Sequence, residues 1–215
     1  AEVALAARDL AWPGQALDVA RATLDAHGDR INAAHAHGLQ VRHLLLIGRI
    51  DEAERLLATL DPAPLPPALR AVHEMVVAGL AIRHVRTKDA RTALKRAAEA
   101  ARKAGIPSLV AEVESTSGAL AAPAARLVTR GTERVLRLDE VERLLASQAL
   151  VIDANRHLVR DGRGIVPLAR RPVLFSLARA LGEAWPEDVA RDTLVARAFR
   201  GKRADESHRA RLRVD

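Results

Sequence analysis

Apolar side chains recur at helical spacing between Gly48 and Pro62. The four positions fall at i, i+3, i+4 and i+7, and they are Ala53, Leu56, Leu57 and Leu60. This spacing indicates one short amphipathic helix. Asp51 stands where a residue that caps the start of the helix is expected, and the glycine and the proline separate the helix from its neighbours.

Similar segments precede and follow this helix. The further helices are predicted over 13–28, 31–48, 66–85 and 88–105, where Asp89 is a candidate cap and Gly105 a candidate terminator. Ala16, Ala53 and Ala90 occupy corresponding places, each 37 residues from the next. A period of this size, with one helix pair per unit, is typical of a helical solenoid.

The stretch IGRIDEAERLLATLDP, 47–62, resembles the second helix of a tetratricopeptide repeat. The resemblance covers residues 1–122 in about three degenerate units, which lack most of the aromatic consensus positions of that family. A more general array of α-helical hairpins is the alternative. The resemblance implies a domain for interaction or sensing that holds a protein or peptide partner on a concave face.

The pattern changes after residue 122. Pro123 and Gly131 lie among small and polar residues, so residues 123–147 are predicted to be a linker that ends in a connecting helix over 138–147. From 149 to 168, three clusters of β-branched residues alternate with the turn sequences DAN and RDGRG. Asp-Gly is a strong turn signal, and we therefore predict three short antiparallel strands.

Three helices are predicted after the strands. The first, within 170–185, has Pro172 in its first turn and Gly182 at its end, with an apolar stripe at Leu174, Leu177, Ala178 and Leu181. The second covers 186–201 and is expected to pack through Leu194, Val195, Ala198 and Phe199. The third begins near Asp205, a good cap. Phe175, Trp185 and Phe199 are expected to anchor a small core.

Residues 149–215 resemble the DNA-binding domain of bacterial transcription regulators of the OmpR/PhoB type. The segment LVIDANRHLVRDGRGIVPLARRPVLFSLARAL matches that family's opening sheet and first helix, VARDTLVARAFRG its second helix, and DESHRARLRVD the start of its recognition helix. The expected fold is therefore mainly α, with helical hairpin repeats over 1–122 and a small α+β winged helix-turn-helix domain over 148–215. No receiver domain is predicted before it. The chain stops at Asp215, inside the expected recognition helix, so the wing is expected to be missing or truncated.

The distribution of charge agrees with this resemblance. The net charge is +7, and residues 1–120 hold 15 Lys/Arg and 14 Asp/Glu, whereas 121–215 hold 19 and 13. A nearly neutral first half and a basic second half indicate that one module faces a polyanion. The candidate DNA-binding residues are Arg191, Arg197, Arg200, Lys202, Arg203, His208, Arg209, Arg211 and Arg213. If Leu212 packs the third helix onto the domain, Arg211 and Arg213 flank an outward face that can enter the major groove.

Other classes of function find little support. The chain has no cysteine, which excludes disulfides and thiolate metal sites, and it carries none of the G-x-G-x-x-G, P-loop, H-E-x-x-H or G-x-S-x-G motifs. His35 and His37, two apart, point to different faces of a helix, the wrong geometry for a shared metal.

We expect a cytoplasmic protein that is not an enzyme, with no cofactor, no metal and no membrane contact. Double-stranded DNA is the expected partner, and a homodimer is compatible with reading two half-sites. The alternative is an interaction scaffold whose terminal module does not read DNA.

Overall fold

The computed structural model describes residues 2–9 and 14–199. The chain divides into two compact units, 1–122 and 123–215. It is mainly helical, with short antiparallel strands in the second unit only, as far as the described residues extend. The helices of the first unit are α1 (Glu2–Ala6), α2 (Gln15–Ala26), α3 (Arg30–Leu46), α4 (Ile50–Ala58), α5 (Pro67–Arg83), α6 (Thr87–Ala104) and α7 (Pro107–Gly118).

The 37-residue period is visible in the helix boundaries themselves. Helix α3 begins and ends 37 residues before α5, and α4 begins 37 residues before α6. The connections correspond as well, because Gly48 and Val85 both have positive φ, 78° and 57°. The pairs α3–α4 and α5–α6 therefore begin in the same 37-residue register, although α4 has 9 residues and α6 has 18. The tetratricopeptide character of these hairpins stays a prediction.

The helix starts differ from the expected caps. Asp51 and Asp89 lie inside the first turns of α4 and α6, and the residues that precede these helices are Arg49 and Arg86. The carboxylates therefore stabilise the positive end of each helix dipole and do not act as caps. Gly105 ends α6 in the left-handed conformation, as predicted.

Alanine faces let the helices of the first unit approach closely. Ala53 and Ala90 are completely buried, and so is Ala97 in the cluster formed by α5, α6 and α7. Ala16, at the corresponding place in α2, is exposed, so the first of the three aligned positions does not share their environment. His37 is buried and its Nε2 lies 3.0 Å from the Leu56 carbonyl oxygen, which joins α3 to α4.

The second unit combines two small sheets with helices. Its elements are β1 (Pro123–Thr129), β2 (Thr132–Arg137), α8 (Leu138–Ala146), β3 (Val151–Asp153), β4 (Leu158–Arg160), β5 (Ile165–Pro167), α9 (Pro172–Ala184) and α10 (Arg191–Phe199). The three predicted strands are confirmed: β3, β4 and β5 form an antiparallel sheet in that order. The connecting helix is also confirmed, as α8.

The prediction of a linker from residue 123 is wrong. Residues 123–137 form the antiparallel hairpin β1–β2, with Val128 opposite Glu133 and Thr129 opposite Thr132. The hairpin contacts α8, and β1 also contacts α9, so it belongs to the second unit. The small and polar residues that suggested a linker are exposed, whereas Leu136 is 2% exposed and supplies the buried position of β2.

Helix α9 does not end at Gly182 as predicted, but continues to Ala184. A Cβ at Gly182 would overlap the Cδ1 methyl of Ile152. The glycine therefore serves the close approach of α9 to strand β3 and not the end of the helix. The most buried side chains of α9 are Phe175 and Ala180, whereas Leu181 of the predicted stripe is 48% exposed.

The aromatic residues are divided between the interior and the surface. Phe175 is buried, and its ring centre lies 4.8 Å from that of His157 at the end of the β3–β4 turn. Phe199 is half-buried at the end of α10. Trp185, which was expected in the core, is 66% exposed in the connection between α9 and α10.

Replacement by alanine should have opposite effects on the free energy of unfolding at two glycines of the first unit. Gly48→Ala should lower the free energy of unfolding by about 1 kcal/mol, because φ at this position is 78° and a Cβ is disfavoured there. Gly38→Ala should raise it by about 0.5–1 kcal/mol, because Gly38 lies within α3 and nothing would obstruct its Cβ. Urea denaturation followed by circular dichroism measures both. Stabilisation by both changes would show that the left-handed turn after α3 is not required.

Candidate functional site

The candidate site is the corner formed by α9 and α10. Residues 185–190 connect the two helices, and α10 packs on α9. Val195, 1% exposed, is the most buried side chain of α10. Because this anchor lies in the middle of a nine-residue helix, it fixes how α10 itself packs on α9.

The structure describes two of the nine predicted DNA-binding residues. Arg191 is the first residue of α10, which begins five residues after the predicted start at 186, and it is exposed. Arg197 lies in the last turn of the same helix. The other seven lie outside the described residues: Arg200, Lys202, Arg203, His208, Arg209, Arg211 and Arg213. The predicted third helix near Asp205 and any wing also fall outside them.

Glu183 joins the two helices through a pair of arginines. Its Oε2 accepts a hydrogen bond from Arg197 Nη1 at 2.7 Å, and its Oε1 accepts one from Arg179 Nε at 2.6 Å. The hydrogen bond from Arg179 lowers the pKa of the Glu183 carboxyl below its ordinary value of 4.5; partial burial opposes this shift, and the hydrogen bond from Arg197 adds to it. Glu183 thus stays ionised and holds Arg197 against the end of α9.

The hydrogen bond to Glu183 affects the role predicted for Arg197, which is contact with DNA. Its side chain is 52% exposed, so its guanidinium group remains accessible, but a phosphate must share it with Glu183 or displace that carboxylate. The sequence analysis missed this intramolecular partner, which lies 14 residues earlier in the chain. The glutamate could not be singled out without knowing how α10 crosses α9.

A second concave feature lies in the first unit. Helices α2, α3 and α4 enclose a groove of about 620 Å³ whose lining includes Asp18, Gln40, His43, Arg55 and Thr59. Gln40 is buried and donates a hydrogen bond from its Nε2 to Asp18. The lining carries both charge signs, so it can accept a polar ligand without favouring a polyanion.

No protein-family model, no curated protein and no solved structure matches the chain. Within the described part of the chain, no group of three or more histidine, cysteine or carboxylate residues is arranged to hold a metal ion. None of the helices described is both long and apolar enough to cross a membrane. The physical argument for a function therefore comes from the two units themselves.

Replacing the Glu183 carboxylate should weaken the attachment of α10 to α9. Glu183→Gln should lower the free energy of unfolding at pH 7 by up to about 1 kcal/mol, the range for partly exposed ion pairs. Because the pKa of Glu183 is lowered in the folded protein, its contribution is complete well above the ordinary value of 4.5 and is lost as the pH falls through the lower pKa of the folded state. Denaturation at pH 7 and at pH 3 should therefore separate the variant from the unchanged chain at pH 7 only.

Glu187→Gln is the matched control. Glu187 is exposed in the connection between the helices, and among the residues described its carboxylate has no partner. This change should leave the midpoint unaltered at both pH values. A Glu183→Gln effect that persists at pH 3 would mean that packing, and not the ionised carboxylate, holds α10.

Proposed function

We propose that the chain is a DNA-binding transcriptional regulator of the OmpR/PhoB type. In this proposal the second unit contains a winged helix-turn-helix domain over 148–215, and the helical hairpins over 1–122 receive a protein or peptide partner. The chain acts in the cytoplasm and is not an enzyme. The observation that carries the proposal is the order of elements from 151 to 199, followed at once by a basic segment.

That order is a three-stranded antiparallel sheet, a helix packed against it, and a second helix packed on the first. The segment after α10, from 200 to 213, contains six Lys/Arg residues and two acids. A third helix that follows such a pair can enter the major groove, while the helix before it crosses the phosphate backbone. The supporting feature is thus a rigid two-helix base ahead of a cationic segment.

The proposed mechanism divides the cationic residues by role. Arg211 and Arg213 face base edges, where a guanidinium group can bind guanine through two hydrogen bonds. Lys202 and its neighbours Arg200 and Arg203, together with Arg209 and His208, contact phosphates and set the register on the duplex. Arg191, at the start of α10, contacts a phosphate. Arg197 contacts another phosphate, which shares its guanidinium group with the Glu183 carboxylate.

The helical hairpins are the proposed binding part for the partner. The groove between α2, α3 and α4 supports this role, because a volume of about 620 Å³ is sufficient for a short peptide segment or a few side chains. Its mixed charges suit a partner with both polar and apolar groups. Binding there would be separate from binding of DNA by the second unit.

A scaffold that does not read DNA is the second candidate function. It is favoured by Glu183, which neutralises Arg179 and Arg197 from within the chain and so reduces the charge available to a duplex. Salt dependence separates the two candidates. A regulator should retain a preferred duplex as salt rises, whereas a scaffold should show only weak attraction that disappears for all duplexes alike.

The division of roles predicts distinct effects on a preferred and a shuffled duplex. Arg211→Ala and Arg213→Ala should each cost about 1–3 kcal/mol on the preferred duplex and little on the shuffled one. Lys202→Ala should weaken both duplexes equally and reduce the slope of log K against log salt by about 0.9. Fluorescence anisotropy with a duplex selected from a random library gives these quantities.

Lys103→Ala provides the control, because Lys103 is an exposed lysine of α6 in the first unit. It should alter neither affinity nor salt slope. Equal losses on both duplexes for all three variants would contradict the assignment of base contacts to Arg211 and Arg213. Failure to select any duplex would favour the scaffold.

A further inference from the structure

Three arginines outside the predicted recognition segment lie together on the second unit. Arg156 belongs to the turn between β3 and β4, and Arg170 and Arg171 lie between β5 and α9. All three are exposed. We refer to Arg156, Arg170 and Arg171 as the arginine patch.

The fold brings the members of the patch to one end of the three-stranded sheet. The backbone N–H of Leu168 donates to the carbonyl of His157 at 2.8 Å, which continues the β4–β5 pairing beyond the strands. Arg156 is therefore next to the segment that carries the other two arginines. The contact between His157 and Phe175 attaches the same turn to the first turns of α9.

The patch has no counter-charge, in contrast to five of the ten other arginines in the described part of this unit. Arg126, Arg134, Arg143, Arg179 and Arg197 each form an ion pair with a carboxylate. Across the described part of the second unit, no side-chain ion pair or hydrogen bond involves a guanidinium group of the patch. Asp153, in the same turn as Arg156, accepts backbone N–H groups from Asn155 and Arg156 at 3.0 and 2.9 Å. Its carboxylate thus stabilises the turn.

The start of α9 adds to the positive potential of the patch. Arg171 precedes the helix and provides no side-chain cap, and Pro172 is its first residue. The positive end of the helix dipole therefore lies beside the three guanidinium groups. Arginines with no internal partner, at the positive end of a helix, attract a polyanion, whose several negative charges can contact several guanidinium groups.

The patch lies near the start of α9, whereas the contact between Glu183 and Arg197 lies near its end. Helix α9 has 13 residues and so is about 20 Å long at 1.5 Å per residue. Arg171 lies at its first end, and Glu183, which holds Arg197 of α10, lies near its last. A duplex that contacted both ends would meet phosphates several base pairs apart, because successive phosphates on one strand are about 3.4 Å apart along the axis.

We propose that the arginine patch is a second contact surface for the phosphate backbone of duplex DNA. It adds affinity that does not depend on sequence, while the segment after α10 reads the bases. This proposal rests on the proposed function, since it assigns a further surface to the same partner. Each arginine neutralises one phosphate and releases its condensed counterion.

The test compares three versions of the full 215-residue chain by anisotropy on preferred and shuffled duplexes at several salt concentrations. In the first version the patch arginines are replaced by alanine: Arg156→Ala, Arg170→Ala and Arg171→Ala. We expect at least tenfold weaker binding to both duplexes at low salt, and a salt slope reduced by about 0.9 for each arginine. In the second version the same three residues are changed to lysine, which retains the charge and should restore most of the slope.

The third version is the matched control, with Arg91→Ala, Arg102→Ala and Lys103→Ala on the exposed face of α6. It removes the same formal charge and should bind both duplexes as the unchanged chain does. Circular dichroism of each version verifies that the helices are retained. An equal loss in the control and in the patch variant would show that net charge alone is responsible, and would overturn the proposal.

Two further outcomes would also overturn it, and they can be told apart. If the unchanged chain binds duplex DNA and the alanine version of the patch binds equally well, the patch is not a DNA contact, while the proposed function stands. If the unchanged chain binds no duplex at any salt concentration, the proposed function fails and the patch fails with it.

Discussion

The second unit depends on the packing of helix α9. This helix contacts strands β1 and β3 and also α10, so it joins both sheets to the last described helix. Gly182 permits the contact with Ile152, and Phe175 provides the buried aromatic surface. Residues on either side of this one helix therefore depend on it for their relative positions. Without it, the β1–β2 hairpin would keep only its contact with α8, and a two-stranded ribbon needs such packing because alone it is at best marginally stable in water.

The same helix determines how cationic groups are distributed around the unit. At its last turns, Glu183 retains Arg179 and Arg197 within the fold. At its first turn, the arginines of the patch have no carboxylate to neutralise them within the described chain. The arginines near the last turns of α9 are thus neutralised by a carboxylate of the chain itself, whereas those near its first turn can bind an external anion. This asymmetry could not be inferred from net charge, because it depends on which acids the fold brings into contact with which bases.

Local patterns predicted much of the fold. The strands over 149–168 were predictable because β-branched clusters and an Asp-Gly turn act over a few residues, and the paired helices because their apolar spacing is regular. The errors arose where a residue served a distant contact. Gly182 was taken for a helix end because its role depends on Ile152, 30 residues earlier, and Trp185 was assigned to the core on hydrophobicity alone. For the site, the local pattern predicts the helix that carries Arg191 and Arg197, but the hydrogen bond between Arg197 and Glu183 depends on how two helices cross.

The 37-residue recurrence of the helix starts in the first unit has a consequence for engineering. Arg49 and Arg86 occupy equivalent junctions, and each follows a residue with positive φ. A duplicate of residues 50–86 spliced after Arg86 would therefore meet chain ends of the same local geometry on both sides. In a linear array, each module contributes its own folding energy and one neighbour interface. The protein could thus be lengthened by one whole 37-residue unit, whereas an insertion that is not a multiple of this length would shift the following helices out of register.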